Sequence, residues 1–130
     1  MKLKSSLFIV AATAGLAASA SALTVDIVGS TAGRAAVISN VTSLISPTSV
    51  AYSGSAAASS NQIIMQGTYA SAPITVRFNF TGSAAGVQQV SQQLNTVTFY
   101  KATITSSGQL SFASPNIETS APEIGYSDVF

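Results

Sequence analysis

The amino-acid sequence predicts an α/β domain, a mainly parallel sheet flanked by helices. Three observations predict it. Short β-branched, alternating runs take turns with runs whose apolar residues recur at helical spacing, an order that favours strands joined by helical crossovers. Twice a strand-like run passes through glycine and hydroxyl residues straight into a helix-like run, at VDIVGSTAGR (25–34) and at FNFTGSAAGV (78–87). No internal repeat or long linker divides the 130 residues, so the chain holds one domain at most.

The beginning of the chain reads as a leader. Lys2 and Lys4 form a positive start, residues 7–18 (LFIVAATAGLAA) form a short apolar run, and Ala20-Ser21-Ala22 fits a small-x-small cleavage site. A membrane helix needs about 20 apolar residues, more than this run supplies. Residues 1–22 are therefore expected to be a secretory signal peptide, with an uncleaved anchor as the alternative. The domain would start at Leu23, and the protein would be exported, periplasmic or extracellular, with no stable membrane span after cleavage.

From Leu23 the elements follow in order. Residues 23–28 (LTVDIV) alternate and are β-branched, which predicts a strand. After Gly29-Ser30-Thr31, residues 32–45 place Ala36, Val37, Val41, Leu44 and Ile45 near helical spacing, and Ser46-Pro47 stops that helix. Residues 49–52 predict a short strand. Residues 56–66 (AAASSNQIIMQ) predict a second helix with Gly67 as its C-cap. Residues 73–80 (PITVRFNF) form the clearest strand, with Ile74, Val76, Phe78 and Phe80 on one face.

Gly82-Ser83 then opens a helix over 84–94, carried by Val87, Val90 and Leu94. Residues 96–105 (TVTFYKATIT) predict a long strand that turns at Ser106-Ser107-Gly108 into a partner at 109–112. Residues 124–130 predict a last strand. It runs to the end of the chain with no closing helix, so the domain is expected to be cut off there.

Composition excludes several functions. The chain has five basic and four acidic residues, and losing Lys2 and Lys4 with the leader would turn the balance negative. Arg34, Arg77 and Lys101 make no basic patch, so binding to nucleic acid through its phosphates is not expected. With no Cys and no His there are no disulfides, thiolate nucleophiles, usual zinc sites or histidine bases. No nucleophile–base pair suggests an enzyme, and no cofactor motif is present.

The two glycine–hydroxyl junctions allow two readings. A Ser or Thr at a helix start commonly caps its own helix. Alternatively, the open N–H groups and the positive end of the helix dipole, joined by the hydroxyls, make an uncharged anion site. There is no GxGxxG and no GxxxxGK to mark a nucleotide site. Arg34 stands in the first helical turn, where a cation opposes the dipole unless an anion is near. Asp128, in GYSDVF, is the third element; a lone aspartate there can equally be a solvated side chain.

Taken together, the chain resembles the substrate-binding proteins of phosphate ABC transporters and exported bacterial proteins with the same domain. Their first strand ends in a Gly-x-Thr turn, matched by Gly29-Ser30-Thr31. Their Gly-Ser-Ser-Gly-Gly-Val turn is matched by Gly82-Ser83-Ala84-Ala85-Gly86-Val87, and their Gly-Ala-Ser-Asp strand end by Gly125-Tyr126-Ser127-Asp128.

The resemblance implies that residues 23–130 are a partial periplasmic-binding-protein-like domain, its first lobe. It implies inorganic phosphate or a similar oxyanion as ligand and an ABC transporter permease as partner. Thr31 would donate its hydroxyl, Ala32 its N–H and Ser83 its hydroxyl, with Ser30 and Arg34 as secondary candidates. Asp128 would accept a hydrogen bond from a protonated phosphate oxygen and repel sulfate, which has only lone pairs to offer.

The chain departs from that pattern at Ala84 and Ala85, which replace a serine and a glycine, and at Ala32-Gly33, where Phe-Pro is usual. The family's second lobe, with its arginine, is not in this sequence. The alternative expectation is an exported structural or surface protein that keeps the fold without a ligand.

Overall fold

The structure is a computed structural model that describes residues 22–128. The expected leader lies outside the described residues, apart from Ala22, and so do the last two residues of the expected final strand. The first strand, β1 (Leu23–Gly29), leads into helix α1 (Arg34–Ile45). Next come β2 (Ser49–Tyr52), a single 3-10 turn (Ala57–Ser59), β3 (Gln62–Tyr69) and β4 (Ala72–Asn79). Helix α2 (Ser83–Ser91) follows, then β5 (Val97–Tyr100), β6 (Gly108–Gln109), β7 (Ile117–Ser120) and β8 (Ile124–Tyr126).

A six-stranded sheet in the order β6-β2-β3-β4-β1-β8 forms the middle layer, and β5 and β7 form a separate antiparallel pair. The sheet is mixed. β1 runs parallel to both β4 and β8, and β2 runs parallel to β6, whereas β3 is antiparallel to both its neighbours. The expectation of a mainly parallel sheet thus holds at the β4-β1-β8 side and gives way at β3.

The cause is residues 56–66, which form the 3-10 turn and the start of β3, not a helix. Ile63, Ile64 and Met65 are consecutive and all buried. Ile63 and Met65 enter the apolar cluster under α1, while Ile64 enters the cluster around Tyr100 on the other face. Only a strand delivers successive side chains to opposite faces. Gly67 is a strand residue rather than a helix C-cap. A Cβ there would lie 2.4 Å from the Ile45 carbonyl oxygen, so the glycine lets the end of α1 press onto β3.

The strand expected over 96–105 shortens to β5, and the expected hairpin through Ser106-Ser107-Gly108 does not form. β5 pairs instead with β7, which the sequence reading did not anticipate, and β6 joins the far edge of the main sheet beside β2. The crossing places Ile104, Leu110 and Phe112 against Ala51, Ile64 and Tyr100, burial that a local hairpin could not provide.

The helices cover opposite faces. Ile27 packs in the α1 cluster with Ile38, Ile45, Phe78 and Phe80, while its neighbour Val28 packs with Val90, Leu94, Val97 and Phe99 on the α2 side. On this second face, cross-strand neighbours Asp26 and Arg77 form a buried pair. The guanidinium donates to both Asp26 carboxylate oxygens at 2.6 Å, to the Tyr100 carbonyl at 3.0 Å and to the Ser120 hydroxyl at 3.0 Å. It also pairs with Glu118 and lies 5.3 Å from the centre of the Phe99 ring. Arg77 thereby fastens both β5 and β7 to the sheet. Among the described residues, every buried side-chain nitrogen and oxygen has a hydrogen-bond partner.

Candidate functional site

The parallel register brings three strand ends together. Val28 of β1 stands opposite Asn79 of β4, and Gly29 stands opposite Tyr126 of β8. The segments that leave these strands, Ser30-Thr31, Gly82-Ser83 and Ser127-Asp128, therefore emerge at one edge of the sheet. In sheets of this kind, ligands bind in the crevice outside the strands' carboxyl ends.

Close backbone packing builds the edge. The Gly82 N–H donates to the Gly29 carbonyl at 2.9 Å, tying one junction to the other. Gly82 has φ +111°, a conformation that a residue with a Cβ adopts only under strain. A Cβ on Gly86 would lie 2.5 Å from the Gly29 Cα, so the first turn of α2 rests directly on the end of β1. The glycines are what allow a helix N-terminus so close to the sheet edge.

Neither helix is capped by a side chain, and neither has an acidic residue in its first turn. The junction hydroxyls act elsewhere. The Ser83 hydroxyl donates to the Asp128 carboxylate. That bond first, and the nearby Ser30 hydroxyl second, hold the Asp128 pKa below its ordinary value. The Ser30 oxygen also accepts the Ala32 N–H at 3.0 Å.

Ser30, Ala32, Ser83 and Asp128 thus lie in one cluster, in which Ser30 bonds Ala32, Ser83 bonds Asp128 and the Ser30 hydroxyl is near enough to lower the Asp128 pKa. Thr31 lies between two of its members and is exposed on the same edge. The Ala32 N–H, read from sequence as a ligand donor, is directed at Ser30. Arg34 flanks the cluster and donates to the Asn61 side chain.

Tyr126 is the residue that sequence reasoning missed. Its ring stands edge-on to Phe80, with centroids 6.1 Å apart, and its hydroxyl donates to the Ser30 carbonyl. Burial raises the phenol pKa, the Asp128 charge raises it further, and Arg34 opposes both. An aromatic residue in GYSD, at the place of a small residue in the resembled motif, was the available signal.

The arrangement offers hydroxyl donors and two helix N-termini around one carboxylate. It can give hydrogen bonds to acceptor oxygens and take one from an O–H group. Among the described residues, no group of three His, Cys, Asp or Glu could hold a metal ion. No described helix is long and apolar enough to cross a membrane.

Fold and site together define a mixed α/β domain, a sheet core with two helices and a donor-lined edge at the ends of parallel strands. No family model, curated protein or solved structure matches the chain.

Proposed function

We propose that the protein is an exported solute-binding domain for an oxyanion that carries a proton, with inorganic phosphate as the simplest case. One observation carries the reading. The Ser83 hydroxyl of one junction bonds Asp128, with the Ser30 hydroxyl of the other junction near enough to lower the Asp128 pKa, beside two helix N-termini without side-chain caps, where three parallel strands end. Phosphate oxygens would take hydrogen bonds from Thr31, from the helix N–H groups and from Ser83 once its one hydroxyl proton turns from Asp128 to the ligand. A phosphate O–H would donate to Asp128, and sulfate, lacking that proton, would meet only repulsion.

The resemblance to phosphate-transporter binding proteins supports this reading, as does the leader-like start of the chain. On it, the domain corresponds to the first lobe of a periplasmic-binding-protein-like fold, delivers its solute to an ABC transporter permease and works in the periplasm or outside the cell.

A second reading has its own observation. The Ala32 N–H already bonds Ser30 and the Ser83 hydroxyl already bonds Asp128. The cluster is then a latch that holds the sheet edge together in an exported structural or surface protein. Titration with phosphate and with sulfate at equal ionic strength, followed by amide NMR, separates the two. Saturable shifts at Thr31 and Ser83 with phosphate alone support binding, and no saturable shift with either leaves the latch.

A further inference from the structure

We propose that Tyr126 is a positioning residue that aims the Thr31 N–H, rather than the Ala32 N–H, at the ligand. Its functional meaning rests on the anion-binding reading above. Both backbone polar groups of Ser30 are held by this single residue. The Ser30 N–H donates to the Tyr126 carbonyl at 3.3 Å, and the Ser30 carbonyl accepts from the Tyr126 hydroxyl. In a planar trans peptide the C=O and the next N–H point in opposite directions. Drawing the Ser30 carbonyl toward the phenol therefore turns the Thr31 N–H away from it. The Thr31 N–H has no hydrogen-bond partner among the described residues, whereas the Ala32 N–H is occupied by the Ser30 oxygen.

The ring is fixed in its turn. It lies between two glycines of the first junction, where a Cβ on Gly29 would stand 2.6 Å from Cδ1 and one on Gly33 would stand 2.9 Å from Cε2. Phe80 closes the edge of the slot. Burial and the nearby Asp128 keep the phenol protonated, so it stays a donor across the neutral range.

The test compares Tyr126→Phe with Tyr100→Phe in the purified protein. Tyr100 is a matched control, because its hydroxyl donates to the Leu110 carbonyl at 2.6 Å and it packs in the cluster around Ala51 and Ile64. Tyr126→Phe is expected to shift the Ser30 carbonyl ¹³C resonance, speed Ala32 amide exchange and weaken phosphate binding about three- to tenfold, the worth of one hydrogen bond. Tyr100→Phe should leave all three unchanged. Equal weakening by both variants, or an unmoved Ser30 carbonyl in Tyr126→Phe, overturns the proposal. A wild-type protein that ignores phosphate defeats the anion-binding reading instead, and with it the ligand role of Thr31; the Ser30 carbonyl shift would then show only that the clamp itself exists.

Discussion

The Ser83 hydroxyl donates to the Asp128 carboxylate, joining the first residue of α2 to the segment beyond β8 across 45 positions of sequence. A serine at a helix start ordinarily turns back on its own N–H groups. Here it turns outward, and Asp128 is stabilised in its charged form. Ser83→Ala should raise the Asp128 pKa toward the ordinary value near 4, read by ¹³C carboxyl titration. An unmoved pKa would show that the contact does not persist in solution. The sign for stability follows, since a depressed carboxylate pKa favours the fold above the ordinary range, and that contribution fades as pH falls through the lowered value. Ser83→Ala should flatten this acid limb.

Gly86→Ala should destabilise the protein, although helix propensity alone favours alanine by about 1 kcal/mol. The new methyl would meet the Gly29 backbone, with its Cβ 2.5 Å from Cα, and a strand end cannot rotate aside as a side chain can. A net loss of about 1–3 kcal/mol is expected from denaturant unfolding. A gain in stability would mean that α2 does not sit on β1 as described.

The hairpin between β3 and β4 turns on Ala70 and Ser71, both with positive φ (49° and 66°). Two-residue turns of this form favour Asn-Gly, because left-handed backbone is strained for most other residues. Replacing Ala70 by Asn and Ser71 by Gly together should stabilise the protein by about 1–2 kcal/mol. A loss of stability on thermal unfolding would rule out this turn geometry.

The same turn shows why part of the fold was hidden in the sequence. Without a glycine or asparagine at 70–71, nothing in the local pattern announced a hairpin, and Ala56–Ala58 drew residues 56–66 toward a helical reading. β5 and β7 pair with each other and are tied to the sheet through Arg77, contacts between distant segments that no spacing rule reports. Elements with strong local signals were legible. β1, β4, α1 and α2 lie close to where alternation, helical spacing and the Ser46-Pro47 stop placed them. The sequence put Thr31, Ser83 and Asp128 together. Ser83 does meet Asp128, because the strands before the junctions run parallel, but the first-junction hydroxyl that acts on Asp128 is that of Ser30 and not of Thr31. Tyr126 was not legible, since its role depends on a ring lying between two glycines of another segment.

Arg77→Ala should cost about 3–5 kcal/mol, because it strands the Asp26 carboxylate in a buried site and frees β5 and β7. Replacing both partners by apolar residues of similar volume should cost less. Equal losses for the single and double changes, measured by urea unfolding, would show that the pair contributes only packing.

The most direct measurement is a titration of the purified protein with phosphate and, separately, with sulfate at equal ionic strength, followed at the amides of Thr31, Ser83 and Asp128. The expected contacts on this edge are hydroxyl and backbone donors open to water, each worth about 0.5–1.5 kcal/mol, against an association cost of about 4 kcal/mol or more. The predicted result is saturable binding of phosphate at about millimolar concentration, no response to sulfate, and loss of that discrimination in Asp128→Asn. The same saturable response to both anions in the wild type, or none to phosphate, would contradict the account.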